Sequence, residues 1–121
     1  MTEAGAAPVG PYRPVVRAGD WLVVSGQLGL SGGSVVEGGV RAQVKQAIAN
    51  LAAHLAGEGA SLTDVVKTTV FLADIGDFAT MNEAYVEAFG GHRPARSAFA
   101  VAALPMNGAV EIEAWAFSPS H

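Results

Sequence analysis

The stretch Val65-Val66-Lys67-Thr68-Thr69-Val70-Phe71-Leu72-Ala73 decides the fold. It is rich in β-branched residues, which is typical of a strand. Because side chains alternate along a strand, it has two faces. One set is Val66, Thr68, Val70 and Leu72, and the other is Val65, Lys67, Thr69 and Phe71. Apolar residues at helical spacing lie on both sides of this stretch, which predicts a strand between two helices.

The two flanking segments are amphipathic. The first predicts a helix from about Val40 to Ala56, and the second predicts a helix that follows an N-cap at Asp77 and ends at Gly90-Gly91. His54 is off the apolar stripe of the first helix, so we expect it to be solvated. The apolar stripes are Val40, Val44, Ala47, Ile48, Leu51 and Leu55, then Phe78, Met81, Tyr85 and Phe89.

Further strands are predicted on both sides of this core. Val15–Arg17 and Trp21–Ser25 are expected to form a hairpin, and Val35-Val36 a short strand. Two strands follow the second helix, the first being the apolar run Ala98–Leu104, which we expect to be buried. The predicted order, β-β-(β)-α-β-α-β-β, indicates the α+β class.

The last predicted strand, Val110–Phe117, has two unlike faces. One face is apolar, and the other combines carboxylates with large aromatic side chains. Two helices can cover only one face of a single sheet, so the mixed face requires a partner and we infer an oligomer. The apolar face is Val110, Ile112, Ala114 and Ala116, and the mixed face is Glu111, Glu113, Trp115 and Phe117.

Size and composition limit the possible functions. The 121 residues suggest one domain, residues 1–121. A net charge of −4 without a basic run argues against a nucleic-acid surface, and the absence of cysteine excludes disulfides and thiolate chemistry. No apolar stretch reaches the ~20 residues of a membrane helix, and the N-terminus has no signal-peptide pattern. We therefore expect a cytoplasmic protein without a membrane partner.

Arg96 is the most informative single residue. It lies in Pro94-Ala95-Arg96-Ser97, directly before the apolar run Ala98–Leu104. Its permanently charged fork of donors fits a carboxylate through two points. The sequence leaves two interpretations open, because such an arginine can also pair with a structural carboxylate or with backbone carbonyls at a sheet edge.

Four other residues offer chemistry. Glu111 and Glu113 share a face, and either could handle a water molecule as general base or acid, or form a salt-bridged or solvated pair. Tyr12 could cover a small ligand or simply pack at a turn, and Gly26 permits close backbone approach at a strand end. The three histidines lack ligand spacing and no phosphate-binding loop is present, so we expect no metal site.

Seven segments in this order match a known family. The chain resembles the RidA/YjgF family of small trimeric enamine/imine deaminases over almost its whole length. The segments are Gly10-Pro11-Tyr12, Val24-Ser25-Gly26-Gln27, Gln43 through Leu51, Asp64 through Leu72, Asp77 through Asn82, Pro94 through Ser97, and Leu104-Pro105 with Val110 through Ala114.

This resemblance implies a fold and an activity. The fold is α+β and chorismate-mutase-like, with a mixed sheet that has two helices on one face. Three chains pack their sheets into a central β-barrel, with a cleft at each subunit boundary. The activity is hydrolysis of reactive 2-imino or 2-enamino acids to 2-oxo acids and ammonia, with no cofactor and a small carboxylate as substrate.

The resemblance also assigns roles to residues. Arg96 is expected to bind the substrate carboxylate and Glu111 to position water. Tyr12 is expected to act beside them as a catalytic residue. Gly26 and Asn82 are expected to line the site.

The chain departs from the family pattern near the expected site. Ala98 stands where typical members have cysteine, Arg13-Pro14 replaces polar residues, and Ser31–Ser34 replaces a turn containing Asp-Pro. The position of Ala98 is still expected to contact substrate. These changes keep a second hypothesis open, a non-catalytic trimer that binds a small carboxylate or a protein partner. A ribonuclease is disfavoured by the acidic charge balance.

Overall fold

A computed structural model describes residues 7–119 of the chain. The elements are β1 Val15–Ala18, β2 Trp21–Leu28, β3 Leu30–Ser31, β4 Ser34–Val35, α1 Gly39–Ala56, β5 Val65–Leu72, α2 Phe78–Phe89, β6 Ala95–Ala100 and β7 Val110–Phe117. Five of the strands form one mixed sheet in the order β1-β2-β7-β5-β6, in which only β5 and β6 run parallel, and β3 and β4 form a small separate pair. Mixed α+β architecture with two helices is therefore confirmed.

Both helices pack on one face of the sheet and bury its apolar side chains there. On β7 the alternation is as predicted, with Val110, Ile112, Ala114 and Ala116 fully buried in the core. Burying an aliphatic side chain is worth about 1.5–3 kcal/mol relative to leaving it exposed, so this layer holds the helices on the sheet. Within residues 7–119, neither helix is both long and apolar enough to cross a membrane.

A β-bulge at the start of β5 changes its predicted faces. Val65 pairs with Ala116 while Lys67 pairs with the preceding residue Trp115, so Val66 is an extra residue in β5. The prediction that Val66 and Leu72 lie on the same face of the strand was wrong for this reason. Val66 is 44% exposed and Val65 only 2%.

Strand β6 lies at the edge of the sheet and is not the buried strand that the run Ala98–Leu104 suggested. It pairs on one side only, parallel to β5, and ends at Ala100. Its side chains are half-buried or exposed, as at Phe99. An apolar run reports that a segment can be buried, but it does not report how many neighbours a strand has.

Helix α1 buries a second, polar row of side chains. His54 is 6% exposed, so the expectation that it is solvated was wrong. The same row includes Asn50, whose Nδ2 donates to the carbonyl oxygen of Leu30 at 3.0 Å, and Gln43, whose Oε1 accepts from the backbone N of Ala109 at 2.8 Å. Asn50 and Gln43 thus satisfy backbone groups at β3 and just before β7, which is why these polar side chains are buried there.

The face of the sheet away from the helices is open and aromatic. The ring centroid of Trp21 lies 6.3 Å from that of Trp115 and 5.1 Å from that of Phe117, both edge to face. Phe71 and Phe99 make a third edge-to-face pair at 5.4 Å. Large apolar rings left on a sheet face are typical of a surface that another chain covers.

Candidate active site

Glu111 lies half-buried on the open face of the sheet, directly over Gly26. A second bulge, in β2 between Val24 and Gln27, brings Gly26 under the carboxylate. A Cβ added at Gly26 would lie 2.5 Å from Oε2 of Glu111, which is closer than atoms in contact can come. Glycine at position 26 therefore makes room for the Glu111 side chain, as the expected close approach requires. The expected strand end was wrong, because β2 continues through the bulge to Leu28.

The surroundings of Glu111 raise the pKa of its carboxyl group. Partial burial is the larger cause, because it disfavours the charged form, and the negative charge of Glu113 two residues away adds to it. A carboxyl group with a raised pKa is a better proton acceptor once it is ionised. Glu111 thus has the character of a general base more than that of an ordinary surface acid.

Tyr12 lies on the same side of the molecule as Gly26, and both line one small hollow beside β2. The Tyr12 side chain is exposed, and its hydroxyl oxygen accepts a long hydrogen bond of 3.4 Å from the backbone N of Val9. Ser25 fastens this N-terminal segment to β2, because its Oγ donates to the carbonyl oxygen of Arg13 at 2.7 Å. Gly26 is therefore close to both Tyr12 and Glu111, which makes these three predicted site residues neighbours.

Arg96 lies on β6 against helix α2. Its Cζ is 5.0 Å from the ring centroid of Tyr85 and 5.7 Å from that of Phe78. Its Nη1 donates to Sδ of Met81 at 3.7 Å, and thioether sulfur is a weak acceptor. The half-buried guanidinium thus rests on aromatic rings and one sulfur atom.

No anion neutralises Arg96 within the part of the chain that the structure describes. Across residues 7–119 no carboxylate lies within 4.0 Å of its guanidinium nitrogens, and no backbone carbonyl accepts a hydrogen bond from them. The two structural interpretations of this arginine, an internal carboxylate or sheet-edge carbonyls, have no partner in these residues. Its donors are available to an external carboxylate.

Two further predicted site residues lie near Arg96 in the sequence or next to one of its contacts: Ala98 is on the same strand, and Asn82 is adjacent to Met81, which contacts Arg96. Asn82 follows Met81 on α2, and its Oδ1 is buried without a hydrogen-bond donor among residues 7–119. Ala98 lies two residues after Arg96, on the same side of β6, and packs against the core. A buried acceptor left without a donor costs about 1–3 kcal/mol, so Asn82 is suited to a ligand that donates.

Arg96 and Glu111 point to opposite faces of the sheet. Arg96 pairs in register with Thr68, whose side chain faces the helices. On its other side Thr68 pairs with Ala114, which also faces the helices. Glu111 precedes Ala114 by three residues on β7 and so points to the open face. One chain alone does not bring Arg96 and Glu111 together, although the family resemblance assigns both to one site, at a boundary between subunits.

Sequence reasoning missed the residues that surround Arg96. Phe78, Met81 and Tyr85 were predicted only as the apolar stripe of α2. Their contact with Arg96 results from the crossover that carries α2 from β5 to β6. The helical spacing identified the stripe, but not the strand beneath it. Within residues 7–119, no group of three histidine or acidic side chains is placed to hold a metal ion.

Comparison with known proteins relates the chain to a characterised family. The model of the family described as Endoribonuclease L-PSP matches residues 2–118. A 2-iminobutanoate/2-iminopropanoate deaminase of Rattus norvegicus is 48% identical over 115 residues, which cover 93% of this chain and 84% of the rat protein.

Solved structures agree with this match. RidA from the Antarctic bacterium Psychrobacter superimposes with a TM-score of 0.91 at 41% identity, covering 97% of this chain and 96% of that one. TdcF of E. coli, crystallised with bound serine, gives a TM-score of 0.90 at 35% identity, covering 97% of this chain and 95% of that one.

Proposed function

The chain belongs to the Endoribonuclease L-PSP family, which includes RidA and YjgF, and we propose that it hydrolyses short 2-imino acids to 2-oxo acids and ammonia. The observation that carries this proposal is the half-buried guanidinium of Arg96, which has no anionic partner among residues 7–119. A 2-imino acid supplies the missing carboxylate. The similarity to the rat deaminase supports the choice of an imine as the group that reacts.

In the proposed mechanism, Arg96 binds the substrate carboxylate through two N–H donors, which holds C2 of the protonated imine in place. Ionised Glu111 accepts a proton from a water molecule as the water oxygen bonds to C2 and the C=N π electrons move to nitrogen. Glu111 then returns the proton to the amino group. The C–N bond breaks and ammonia leaves with the bonding electron pair, while Glu111, ionised again, accepts the proton of the new hydroxyl, which becomes the carbonyl of the 2-oxo acid. The departing ammonia takes this proton from Glu111 and leaves as ammonium, which restores the carboxylate.

We place the complete site at a cleft between subunits of a homotrimer. Arg96 and Glu111 lie on opposite faces within one chain, so a second copy must bring them within reach of one substrate. The open aromatic face supports this arrangement, because its exposed rings need cover. Three such faces packed together would form a central barrel with the helices outside.

The first prediction concerns the size of the assembly. Light scattering in dilute buffer is expected to give about three times the chain mass of 12.3 kDa. The replacement Trp115→Glu should reduce this mass, because it adds charge to the face that the trimer covers. A parent protein of 12.3 kDa in solution would contradict the interface and the location of the site.

The second prediction tests the reaction itself. An amino-acid oxidase acting on 2-aminobutanoate generates 2-iminobutanoate, and the protein is expected to accelerate loss of the imine and release of ammonia above the protein-free rate. Binding of 2-oxobutanoate, measured by calorimetry on the same preparation, separates catalysis from binding. Tight binding without acceleration would contradict the enzyme and favour the binder hypothesis.

A further inference from the structure

Arg96 has neighbours that can fix its orientation without neutralising its charge. The rings of Tyr85 and Phe78 lie 5.0 and 5.7 Å from its Cζ, both within the range of a cation–π contact. We call Tyr85 and Phe78 the aromatic seat. A salt bridge would compete with the substrate for the guanidinium, whereas a ring face leaves the in-plane N–H donors open.

Tyr85 is itself held firmly. Its hydroxyl forms a buried hydrogen bond of 2.7 Å with Oγ1 of Thr68, and its ring centroid lies 4.7 Å from the ring centroid of Phe89. Thr68 is also the register partner of Arg96 in the neighbouring strand. Burial, the largest effect, raises the pKa of Tyr85, against the lowering effects of its bond to Thr68 and the charges of Arg96 and Arg93. The hydroxyl therefore stays neutral and does not form an ion pair with Arg96.

Phe78 forms the outer half of the aromatic seat. It begins α2 and is 37% exposed, although the sequence placed it on the same apolar stripe as the fully buried Met81. A core residue would be covered by its own chain, whereas Phe78 remains open beside the guanidinium. This placement suits a residue that shields the arginine from water when a ligand is bound.

We propose that Tyr85 and Phe78 are positioning residues that pre-orient the Arg96 fork for a substrate carboxylate, an inference that rests on the proposed function in its choice of ligand. The aromatic seat removes rotamers of Arg96 that point away from the cleft. The entropy cost of ordering the side chain is then met during folding and not during binding.

The test uses Phe78, because it is partly exposed and its replacement leaves the core intact. Phe78→Leu is expected to weaken 2-oxobutanoate binding and to raise KM for the imine by about three- to tenfold, with kcat little changed, because the contact acts equally before and during reaction. Phe78→Tyr retains a ring and should restore parental affinity. All variants are compared as assembled protein with matched melting temperatures.

A double-mutant cycle with Arg96→Ala distinguishes positioning from direct contact. In the Arg96→Ala background, Phe78→Leu should cause no further loss of 2-oxobutanoate binding, since the residue it orients is gone. An equal loss in both backgrounds, or full affinity in Phe78→Leu alone, would overturn the inference. A parent protein that binds 2-oxobutanoate with this Phe78 dependence but hydrolyses no imine would contradict the proposed function and still support the aromatic seat.

Discussion

Arg96→Ala is expected to lower kcat/KM for 2-imino acid hydrolysis by about 30- to 1,000-fold, which corresponds to about 2–4 kcal/mol. The reason is the loss of a charge-assisted, two-point contact with the substrate carboxylate in a site that partly excludes water. Arg96→Lys keeps the charge but loses the planar fork, so it should already lose most of the affinity. Ammonia release from newly formed 2-iminobutanoate and calorimetric binding of 2-oxobutanoate measure both losses.

Arg93 provides the matched control for this prediction. It lies three residues before Arg96 but is exposed, and its Nη1 donates to backbone carbonyls, including that of His92 at 2.9 Å. Arg93→Ala should therefore leave activity and ligand affinity close to those of the parent. A lower melting temperature in Arg96→Ala with unchanged ligand binding per folded protein would show that Arg96 only anchors the sheet edge, and the site would have to lie elsewhere.

The amphipathic patterns were sufficient to predict the main elements. Helix α1 begins at Gly39, one residue before the predicted start, and ends at Ala56 as expected. The failures arise where the pattern of one segment depends on another. The bulge at Val66 results from the register of β5 against β7, and the exposure of β6 results from its place at the end of the strand order. Neither the bulge nor the exposure can be predicted from the sequence of one strand alone.

Residue patterns predicted less of the candidate site than of the fold. Position and residue type identified Arg96 and the pair of glutamates as chemically unusual, but their roles came from family resemblance. The assignment of opposite faces to Arg96 and Glu111 needed the strand register. The clearance over Gly26 is a tertiary contact between β2 and β7, which no local pattern encodes.

Glu111→Gln is expected to lower kcat by about 100-fold or more, because glutamine cannot accept the proton from the attacking water. Glu113→Gln is the matched control, since it makes the same change two residues away on the same face. It should retain most of the activity, because only Glu111 lies over Gly26. Equal activity in the two variants would contradict the assignment.

The pH dependence of kcat/KM supplies a second test of Glu111. Burial, and then the charge of Glu113, raise the pKa of its carboxyl, so the acidic limb should lie above the usual range for glutamate. Glu113→Gln removes the smaller of these two effects, so the acidic limb should move to lower pH. Burial remains, so the pKa of Glu111 should stay above its usual range. Lys67 is also on this face, but it lies four residues before Phe71, the partner of Glu111 on β5, and its Nζ donates to Oγ of Ser97 at 2.8 Å.

Glu111→Gln should lower activity without lowering the thermal stability of the folded protein. Because the pKa of Glu111 is raised in the folded state, the folded protein binds this proton more tightly than the unfolded chain, and stability falls as pH rises between the two pKa values. The loss is complete at pH values above the folded-state pKa. Glu111→Gln removes the ionisable group, so its melting temperature at pH 7 should equal or exceed that of the parent while its activity is lost. A variant that is both inactive and less stable at pH 7 would mean that Glu111 supports the fold, and that the proton acceptor is another group.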